Sequence, residues 1–295
     1  MINADASSKK KEGDGREIGN RVLIIGKDHE LRRSLEESPD AQNCRSDHAA
    51  GSADALRHLR AAHYDVVITN PATSIEEDLA LLSEMRAIRP GVRVIMLAPS
   101  SSPEEVIAAL RARAFVCLTP PFDADQIAGY AFRAAAATDS LRGIEVVSAR
   151  RDWVSLRVNC HRLTADRVVS FLNEMQGELP EAPREELMTA FREILMNAIE
   201  HGAALDPGKV VEVAAVHTDR AIVFYVRDPG PGFDCEALPQ AAVSNPENDP
   251  TAHMQYRAEQ GMRPGGFGIL VARGIVDELM YSDKGNEVLL IKYTI

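Results

Sequence analysis

Short apolar runs alternate with stretches of helical periodicity between residues 21 and 138, and this alternation constrains the fold more than any other feature. The apolar runs, which are typical of buried strands, cover 22–25, 65–69 and 92–97. Helical spacing covers 28–37, 52–62, 76–88, 103–113 and 123–137. Because strands that alternate with helices build βαβ units, the pattern predicts an α/β domain with a doubly wound parallel sheet.

The pattern changes in the rest of the chain, where strands and helices segregate and an α+β domain is predicted. Antiparallel strand pairs are expected at 144–149 with 153–158 and at 210–216 with 221–226, and a last strand at 287–294. Helices are expected at 162–177, 183–202 and 267–279, and a long, lid-like loop at 234–260. The predicted organisation is a disordered leader over 1–20, a first domain over 21–138 and a second over 139–295.

Composition excludes several classes of protein. Lys and Arg total 33 against 44 Asp and Glu, a net charge of -11, which argues against direct DNA binding. No apolar run approaches the roughly 18 residues of a membrane-spanning helix, and the N-terminus lacks the apolar core of a signal peptide. The four cysteines include no Cys-x-x-Cys pair, which favours a reduced, cytoplasmic location.

The first domain resembles a response-regulator receiver domain over nearly all of 21–138. Residues 22–28 are similar to the first strand and acidic corner of that family, and residues 64–70 to its third strand. Residues 94–98 and 118–122 are similar to the ends of its fourth and fifth strands. The resemblance implies a flavodoxin-like fold of the receiver type.

The residues that carry receiver chemistry are replaced in this sequence. Asn70 stands at the phosphorylated aspartate, and a carboxamide has no anionic oxygen to attack phosphorus. The replacements at the acidic pair, the switch hydroxyl, the usual lysine and the aromatic switch are Gly26 and Lys27, Ala98, Pro120 and Cys117. Asp28 alone cannot build the metal site. We therefore expect no aspartyl phosphorylation, and either a pseudo-receiver that docks a partner or dimerises, or a folded spacer.

Three separate stretches of the second domain carry residues suited to a nucleotide. Glu193 and Asn197 lie four residues apart and share one face of a predicted helix, away from its apolar stripe. Asp228 precedes glycines at 230 and 232, where the backbone can turn sharply against a ligand. Residues 263–268 form a glycine-rich loop that opens a helix and offers unpaired N–H groups to phosphate. Each stretch alone also fits a solvated surface or an ordinary turn.

The order and spacing of these stretches resemble the histidine-kinase-like ATPase family, the Bergerat fold, over about 145–295. Within it, the likeness is to bacterial anti-sigma-factor serine/threonine kinases. Residues 193–202 match the N box, 228–232 the first glycine box and 265–268 the second. The resemblance implies an α+β two-layer sandwich that binds ATP and Mg²⁺.

The resemblance also implies a role for each matching residue. Glu193 would take the proton from a partner's Ser or Thr hydroxyl, and Asn197 would bind Mg²⁺. Asp228 would accept a hydrogen bond from the adenine amino group, while Gly230 and Gly232 let the backbone approach the base. The residues expected around the phosphates are Arg263, Gly265, Gly266, Phe267 and Gly268.

Three neighbouring side chains have open interpretations. Arg263 either holds the phosphates or is a solvated arginine. Asn286 stands where the family often has a threonine that supports adenine binding, and it is a candidate replacement for that hydroxyl. His201 belongs to the N box, and nothing in the sequence marks it as a phosphorylated nucleophile.

Together these features predict a cytoplasmic signalling switch. It is expected to bind Mg-ATP and to phosphorylate Ser or Thr of an anti-anti-sigma-type (STAS-like) partner, and thereby to regulate a sigma factor. The family likeness also raises the expectation of a homodimer. One alternative is a nucleotide-gated scaffold that binds proteins without kinase turnover. Another is a histidine-kinase relative that acts on a separate acceptor protein.

Overall fold

The computed structural model describes residues 20–26, 29–37, 44–137, 143–177, 179–234, 241–246, 249–261 and 266–294. Strands and helices alternate through the N-terminal domain, which we take as the described residues up to 137. Its elements are β1 (Asn20–Ile25), α1 (His29–Glu37), β2 (Cys44–Ala49), α2 (Ser52–Ala61), β3 (Val66–Ile68), α3 (Ile75–Ile88), β4 (Arg93–Leu97), α4 (Pro103–Arg111), β5 (Val116–Leu118) and α5 (Ala124–Ala136).

The strands of this domain form one parallel sheet in the order β2-β1-β3-β4-β5. Successive residues of a strand point to opposite faces of the sheet, so each apolar strand contributes side chains to the hydrophobic core on both faces. In β1, Leu23 packs with α2, α3 and α4 on one face, and Val22 packs with α1 and α5 on the other. The predicted doubly wound α/β fold is therefore confirmed.

Side-chain caps explain where three of these helices begin. Ser74 and Ser102 each accept a hydrogen bond from the backbone of a glutamate three residues later, and that glutamate accepts one in return, which forms a capping box. Asp123 caps α5 by accepting from the N–H groups of residues 125 and 126.

The C-terminal domain, taken as the described residues from 143 onward, has an antiparallel sheet with helices. Its elements are β6 (Ile144–Arg150), β7 (Trp153–Asn159), α6 (Arg162–Met175), α7 (Glu181–Asn197), a π-helical turn (Ala198–Gly202), β8 (Val210–His217), β9 (Ala221–Arg227), a 3-10 turn (Ala242–Ser244), α8 (Ala252–Glu259), α9 (Gly268–Ile275), β10 (Glu278–Tyr281) and β11 (Glu287–Tyr293). The strand order is β10-β11-β9-β8-β7-β6.

Helices α6, α7 and α9 cover one face of this sheet. Alternate residues of β7 are buried, as are those of β8, and they share a core with Phe171 of α6 and Phe191 of α7. The ring of Phe191 lies 4.7 Å from that of Phe224 on β9, centroid to centroid. The predicted α+β two-layer architecture is therefore confirmed.

The structure differs from the sequence prediction at three elements. Residues 44–49, 252–259 and 278–281 form a strand, a helix and a strand that hydrophobic periodicity did not indicate. Each lacks a clean apolar pattern; the buried side chains of α8, for example, are His253 and Arg257. The predicted helix over 183–202 is α7 followed by the π-helical turn, and that predicted over 267–279 ends at Ile275.

The two domains are joined by buried polar contacts as well as by a shared apolar core. Arg167 of α6 is 7% exposed, and its Nε donates to the carbonyl oxygen of Phe115 at 2.8 Å. Burial lowers the pKa of the Arg167 guanidinium to about 10. The Thr119 hydroxyl donates to Oε2 of the buried Glu174 at 2.6 Å. Hydrogen bonds of this kind help to fix the position of one domain on the other.

No helix within the described residues is long and apolar enough to cross a membrane.

Candidate nucleotide site

A cavity of about 580 Å³ lies in the C-terminal domain, and all three sequence stretches line it. Helix α7 forms one wall, the loop after β9 a second, and the start of α9 a third. The predicted site residues on this lining are Glu193, Asn197, Asp228, Gly232, Gly266, Phe267 and Gly268. Its size falls in the usual range for a cofactor or small-molecule site.

Asp228 is held at one end of the cavity by the backbone around it. Its N–H donates to the carbonyl oxygen of Asn286 at 3.0 Å, and the Asn286 side-chain amide donates back to the Asp228 carbonyl oxygen at 3.0 Å. The N–H of Gly230 donates to Oδ1 of Asp228 at 2.7 Å. Asp228 is 9% exposed, and burial raises the pKa of its carboxyl above the usual range despite the Gly230 hydrogen bond and the charge of Lys284.

Two glycines make room for the Asp228 side chain. A Cβ atom at Gly202, the last residue of the π-helical turn, would lie 2.2 Å from Cγ of Asp228. A Cβ atom at Gly230 would lie 2.6 Å from the Gly202 carbonyl oxygen. The two loops and the carboxylate therefore meet only because both positions lack a side chain. Gly230 thus supports the site through its N–H group and its lack of a Cβ.

Gly232 and Gly285 allow a second close approach at the same end of the cavity. A Cβ at Gly232 would lie 1.8 Å from the Lys284 carbonyl oxygen, and a Cβ at Gly285 would lie 1.8 Å from that of Phe233. Both glycines have positive φ, of 81° and 77°. Nearby, Nζ of Lys284 donates to the Gly230 carbonyl oxygen at 3.2 Å. The loops after β9 and before β11 are thus packed backbone to backbone.

Glu193 and Asn197 meet the start of α9 at the other end of the cavity. A Cβ atom at Gly268 would lie 2.6 Å from Oε2 of Glu193 and 3.5 Å from Nδ2 of Asn197. The two side chains project from α7 because its apolar stripe, which includes Ile194, is buried in the core. The carboxylate and the carboxamide therefore lie beside the first N–H groups of α9, where an anion would be stabilised.

Described residues from the part of the chain before α9 also line the cavity, among them Ala241 and Arg257. The N–H of Ala242 donates to the Gly266 carbonyl oxygen at 2.8 Å, and the ring of His253 lies 4.6 Å from that of Phe267 in an edge-to-face arrangement. Arg257, one turn along α8 from His253, is buried and lines the cavity. Two predicted phosphate-binding residues, Arg263 and Gly265, lie outside the described residues.

The lining suits a nucleotide with a metal ion. It offers a buried carboxylate at one end for a hydrogen-bond donor on a base, and a helix N-terminus at the other for phosphate. Among the described residues, no group of three His, Cys, Asp or Glu side chains is placed to hold a metal ion by itself. Mg²⁺ commonly takes one or two protein oxygens and completes its shell with phosphates and water. Asn197, which lines the cavity, can supply such an oxygen once phosphates are present.

In the N-terminal domain, two of the replaced residues of the receiver-like site, Gly26 and Asn70, lie at the ends of β1 and β3. A Cβ at Gly26 would contact the Asn70 side chain at 3.4 Å, so the ends of β1 and β3 lie together. The Asn70 Oδ1 accepts from the N–H of Ala72 at 3.0 Å. Behind it, the buried Asp78 accepts hydrogen bonds from the hydroxyls of Thr69 and Thr73. The described residues here thus include no exposed aspartate at the end of β3; Lys27 and Asp28 lie outside them.

Gly202, Gly285 and Arg257 are among the cavity-lining residues that were not predicted as site residues. Gly202 and Gly285 take part through their lack of a side chain, and a glycine in a loop carries no sequence signal for which atoms approach it. Arg257 belongs to α8, a helix that the sequence pattern did not indicate. The glycine at 202 does end the N box, which is the one signal that pointed toward it.

Comparison with known proteins agrees with this division of the chain. Residues 22–131 match the family of response regulator receiver domains, and residues 159–292 match the family of histidine kinase-like ATPase domains. Regulatory protein AtoC of Escherichia coli (strain K12) is 30% identical over 109 residues, which are 37% of this chain and 23% of that protein. This chain therefore spans less than a quarter of that curated relative.

Solved structures of receiver domains are also similar to part of the chain. A response regulator from Thermotoga maritima has 17% identity and a TM-score of 0.35, covering 40% of this chain and 99% of that one. A CheY-like receiver domain protein from Methanospirillum hungatei JF-1 has 19% identity and a TM-score of 0.33, covering 39% of this chain and 96% of that one.

Proposed function

Because the chain joins a response regulator receiver domain to a histidine kinase-like ATPase domain, we propose that it is an ATP-dependent serine/threonine protein kinase. The partner we propose is a small anti-anti-sigma-type (STAS-like) protein, whose phosphorylation state would in turn regulate a sigma factor. The two domain families make the chain a signalling protein with a kinase-like ATPase domain, and the geometry of the cavity supports the finer assignment.

The residues at the base end of the cavity would select adenine. Asp228 carries an acceptor oxygen that is fixed by the Gly230 N–H and is held away from water. A buried acceptor of this kind favours a ligand that donates a hydrogen bond to it, because an unpaired buried carboxylate is costly. Asn286 uses its amide to hold the Asp228 backbone, so here it positions the aspartate.

The residues at the phosphate end would hold the transferring group and its metal ion. Gly266 and Gly268 line the cavity at the N-terminus of α9, beside Glu193, and a helix N-terminus offers unpaired N–H groups to phosphate. Asn197 would hold Mg²⁺, whose positive charge would offset the negative charge that develops during transfer. Phe267, between the two glycines, packs edge-to-face against the ring of His253.

Glu193 would act as the general base. The partner's hydroxyl oxygen forms a bond to the γ-phosphorus as the bond from that phosphorus to ADP breaks, and Glu193 takes the hydroxyl proton. The observation that carries the proposal is the contact of the Glu193 carboxylate with Gly268, because it places a base directly beside the proposed phosphate loop. From that position the carboxylate can take the proton of an acceptor hydroxyl that comes to it.

The receiver domain would not receive phosphate itself. Asn70 occupies the end of β3, and its side-chain oxygen is engaged with the Ala72 N–H. We propose that this domain serves as a fixed docking element instead, since buried contacts such as that of Thr119 with Glu174 attach it to the ATPase domain.

The test is a transfer assay on this chain with Mg-ATP and purified anti-anti-sigma-type domains, read by intact mass. We expect a gain of one phosphoryl group on the partner, which Glu193→Gln abolishes without loss of ATP binding. Binding of ATP with no phosphorylated partner would favour the scaffold alternative. A phosphorylated product that is labile to acid would favour the histidine-kinase alternative, because phosphoserine survives acid.

A further inference from the structure

A second cavity of about 550 Å³ lies between the receiver domain and the ATPase domain, and we call it the interdomain groove. One wall is the loop after β5 together with α5, and it includes Phe122 and Asp123. The other wall is α6 and the N-terminal half of α7, and it includes Ser170 and Arg184. Neither domain alone would form this groove.

The groove leads to the proposed catalytic base. Thr189 of α7 lines both the interdomain groove and the nucleotide cavity. Glu193, which lines the nucleotide cavity, lies four residues further along the same helix, a rise of about 6 Å. A chain lying in the groove would therefore reach the position from which a hydroxyl can meet the Glu193 carboxylate.

The groove contains a polar atom that the protein leaves without a partner. Nε of Arg184 is buried and makes no hydrogen bond within the described part of the chain. The hydroxyl of Ser170, which is 7% exposed, lies beside that of Tyr130. Buried donors are normally satisfied, so an unsatisfied one on the wall of a groove points to a ligand that brings an acceptor. A peptide carbonyl is such an acceptor.

The charges on the groove favour a basic ligand. Asp123, Glu181 and Glu185 are exposed on its two walls, and none of them forms an ion pair with another described residue. Each of the two arginines on the groove has a carboxylate close to it. Arg192 forms an ion pair with Asp166 at 3.0 Å, and Arg184 lies near the buried Glu174. The carboxylates are thus the charges left to attract a partner.

We propose that the interdomain groove binds the segment of the partner that carries its acceptor Ser or Thr, flanked by Lys or Arg. The inference rests on the proposed kinase function and adds a specificity site to it. On this view the receiver domain, which has lost its own phosphorylation chemistry, contributes Phe122 and Asp123 to substrate selection.

Peptide binding tests the groove separately from transfer. The probes are two fluorescent peptides with one central serine, flanked by lysines in one and by glutamates in the other. Their binding to the full-length Glu193→Gln protein with Mg-ATP is followed by fluorescence anisotropy, so that no chemistry intervenes. We expect the lysine peptide to bind about tenfold more tightly than the glutamate peptide at low salt.

Groove variants then locate the binding. The double variant Glu181→Lys/Glu185→Lys should bind the lysine peptide about tenfold more weakly and the glutamate peptide more tightly. Asp123→Asn should weaken binding of the lysine peptide less, because it removes one charge and reverses none. Asparagine still caps α5, so the fold should be kept. Glu84→Lys is the matched control, because Glu84 is an exposed residue of α3 away from the groove, and it should leave both affinities unchanged.

Three results would overturn the proposal: no binding of either peptide at millimolar concentration, equal binding of both, or binding that the groove variants do not change. The failure of the kinase function looks different. In that case the lysine peptide binds in a groove-dependent manner, but no peptide or partner gains a phosphoryl group from the Glu193 protein. If phosphoryl transfer to the partner occurs at the same rate in the groove variants, the proposed kinase function stands and the proposed role of the groove is refuted.

Discussion

Gly268 lies so close to Glu193 that a Cβ atom at position 268 would come within 2.6 Å of Oε2 of the glutamate. This contact connects two parts of the sequence that are 75 residues apart, the C-terminal part of α7 and the first residue of α9. It brings a carboxylate to a helix N-terminus, where a negative ligand would also be stabilised. The site therefore depends on a glycine at 268 as much as on the acid at 193.

Gly268→Ala should damage the site without unfolding the protein. The new methyl group would displace the Glu193 side chain and crowd the phosphate loop, so we expect ATP affinity to fall about tenfold or more and transfer to be lost. Calorimetry and the transfer assay measure the two effects. Gly274→Ala is the control, because a Cβ there meets no atom within 4 Å, and in helix α9 it should stabilise by up to about 1 kcal/mol. Normal function of the Gly268→Ala protein would contradict the assigned geometry.

Asp228→Asn should weaken ATP binding and stabilise the fold. The amide keeps an oxygen for the Gly230 N–H but loses the charge that strengthens an adenine contact, so we expect a loss of affinity of about tenfold. Burial raises the folded-state pKa of Asp228, so its contribution to stability is present below the unfolded pKa and is lost as pH rises through the folded pKa.

Urea titrations of both proteins at neutral and acidic pH measure this second effect. The stability advantage of Asp228→Asn should be greatest at neutral pH and should shrink as pH falls toward the ordinary aspartate pKa. An advantage that grows on acidification would show that the carboxylate is stabilising as an anion.

Gly285→Ala should destabilise the base end of the cavity severely. The residue has a φ of 77°, and a Cβ would lie 1.8 Å from the Phe233 carbonyl oxygen, so both backbone strain and overlap oppose the change. Gly261→Ala separates the two causes, because Gly261 has a φ of 64° with open space around it and should cost only about 1–2 kcal/mol. Thermal unfolding compares them, and equal losses of stability would refute the close packing at Gly285.

Glu174→Gln should flatten the pH dependence of stability. Burial raises the folded-state pKa of Glu174, and the hydrogen bond from Thr119 only partly opposes it. Its contribution to the unfolding free energy is therefore full below the unfolded pKa and declines as pH rises through the raised folded pKa. Glutamine can still accept from Thr119, so the variant should be the more stable protein at neutral pH. Denaturant titrations between pH 4 and 8 measure the difference, and a less stable variant at neutral pH would indicate a favourable charge.

The buried strands and helices could be predicted from the sequence because their buried positions hold apolar residues at regular spacing. The strand residues Leu23 and Val67 are fully buried, and so is Phe191 of the predicted helix stripe. The predicted fold classes followed from the order of these elements. Strand β2 was not predicted, because it is an edge strand whose residues, such as Asp47, are partly exposed and bond through polar groups to Arg21 and Tyr64.

Only part of the candidate site could be predicted, because a sequence motif shows which side chains are present but not which atoms approach them in the fold. Side-chain types at motif spacing indicated Glu193, Asn197 and Asp228, and the structure places all three on one cavity. Contacts that depend on the absence of a Cβ, as at Gly202, cannot be inferred from spacing, because they require knowledge of what approaches. The interdomain groove is also beyond sequence patterns, since its walls come from two domains.

Calorimetric titration of the whole chain with ATP, with and without Mg²⁺, shows whether three distant stretches of the sequence form one nucleotide site. We predict binding of one ATP per chain in the micromolar to millimolar range typical of such enzymes, stronger with Mg²⁺ and weakened by Asn197→Ala. Absence of binding heat at millimolar ATP across several temperatures, or binding that is the same with and without Asn197, would contradict the account.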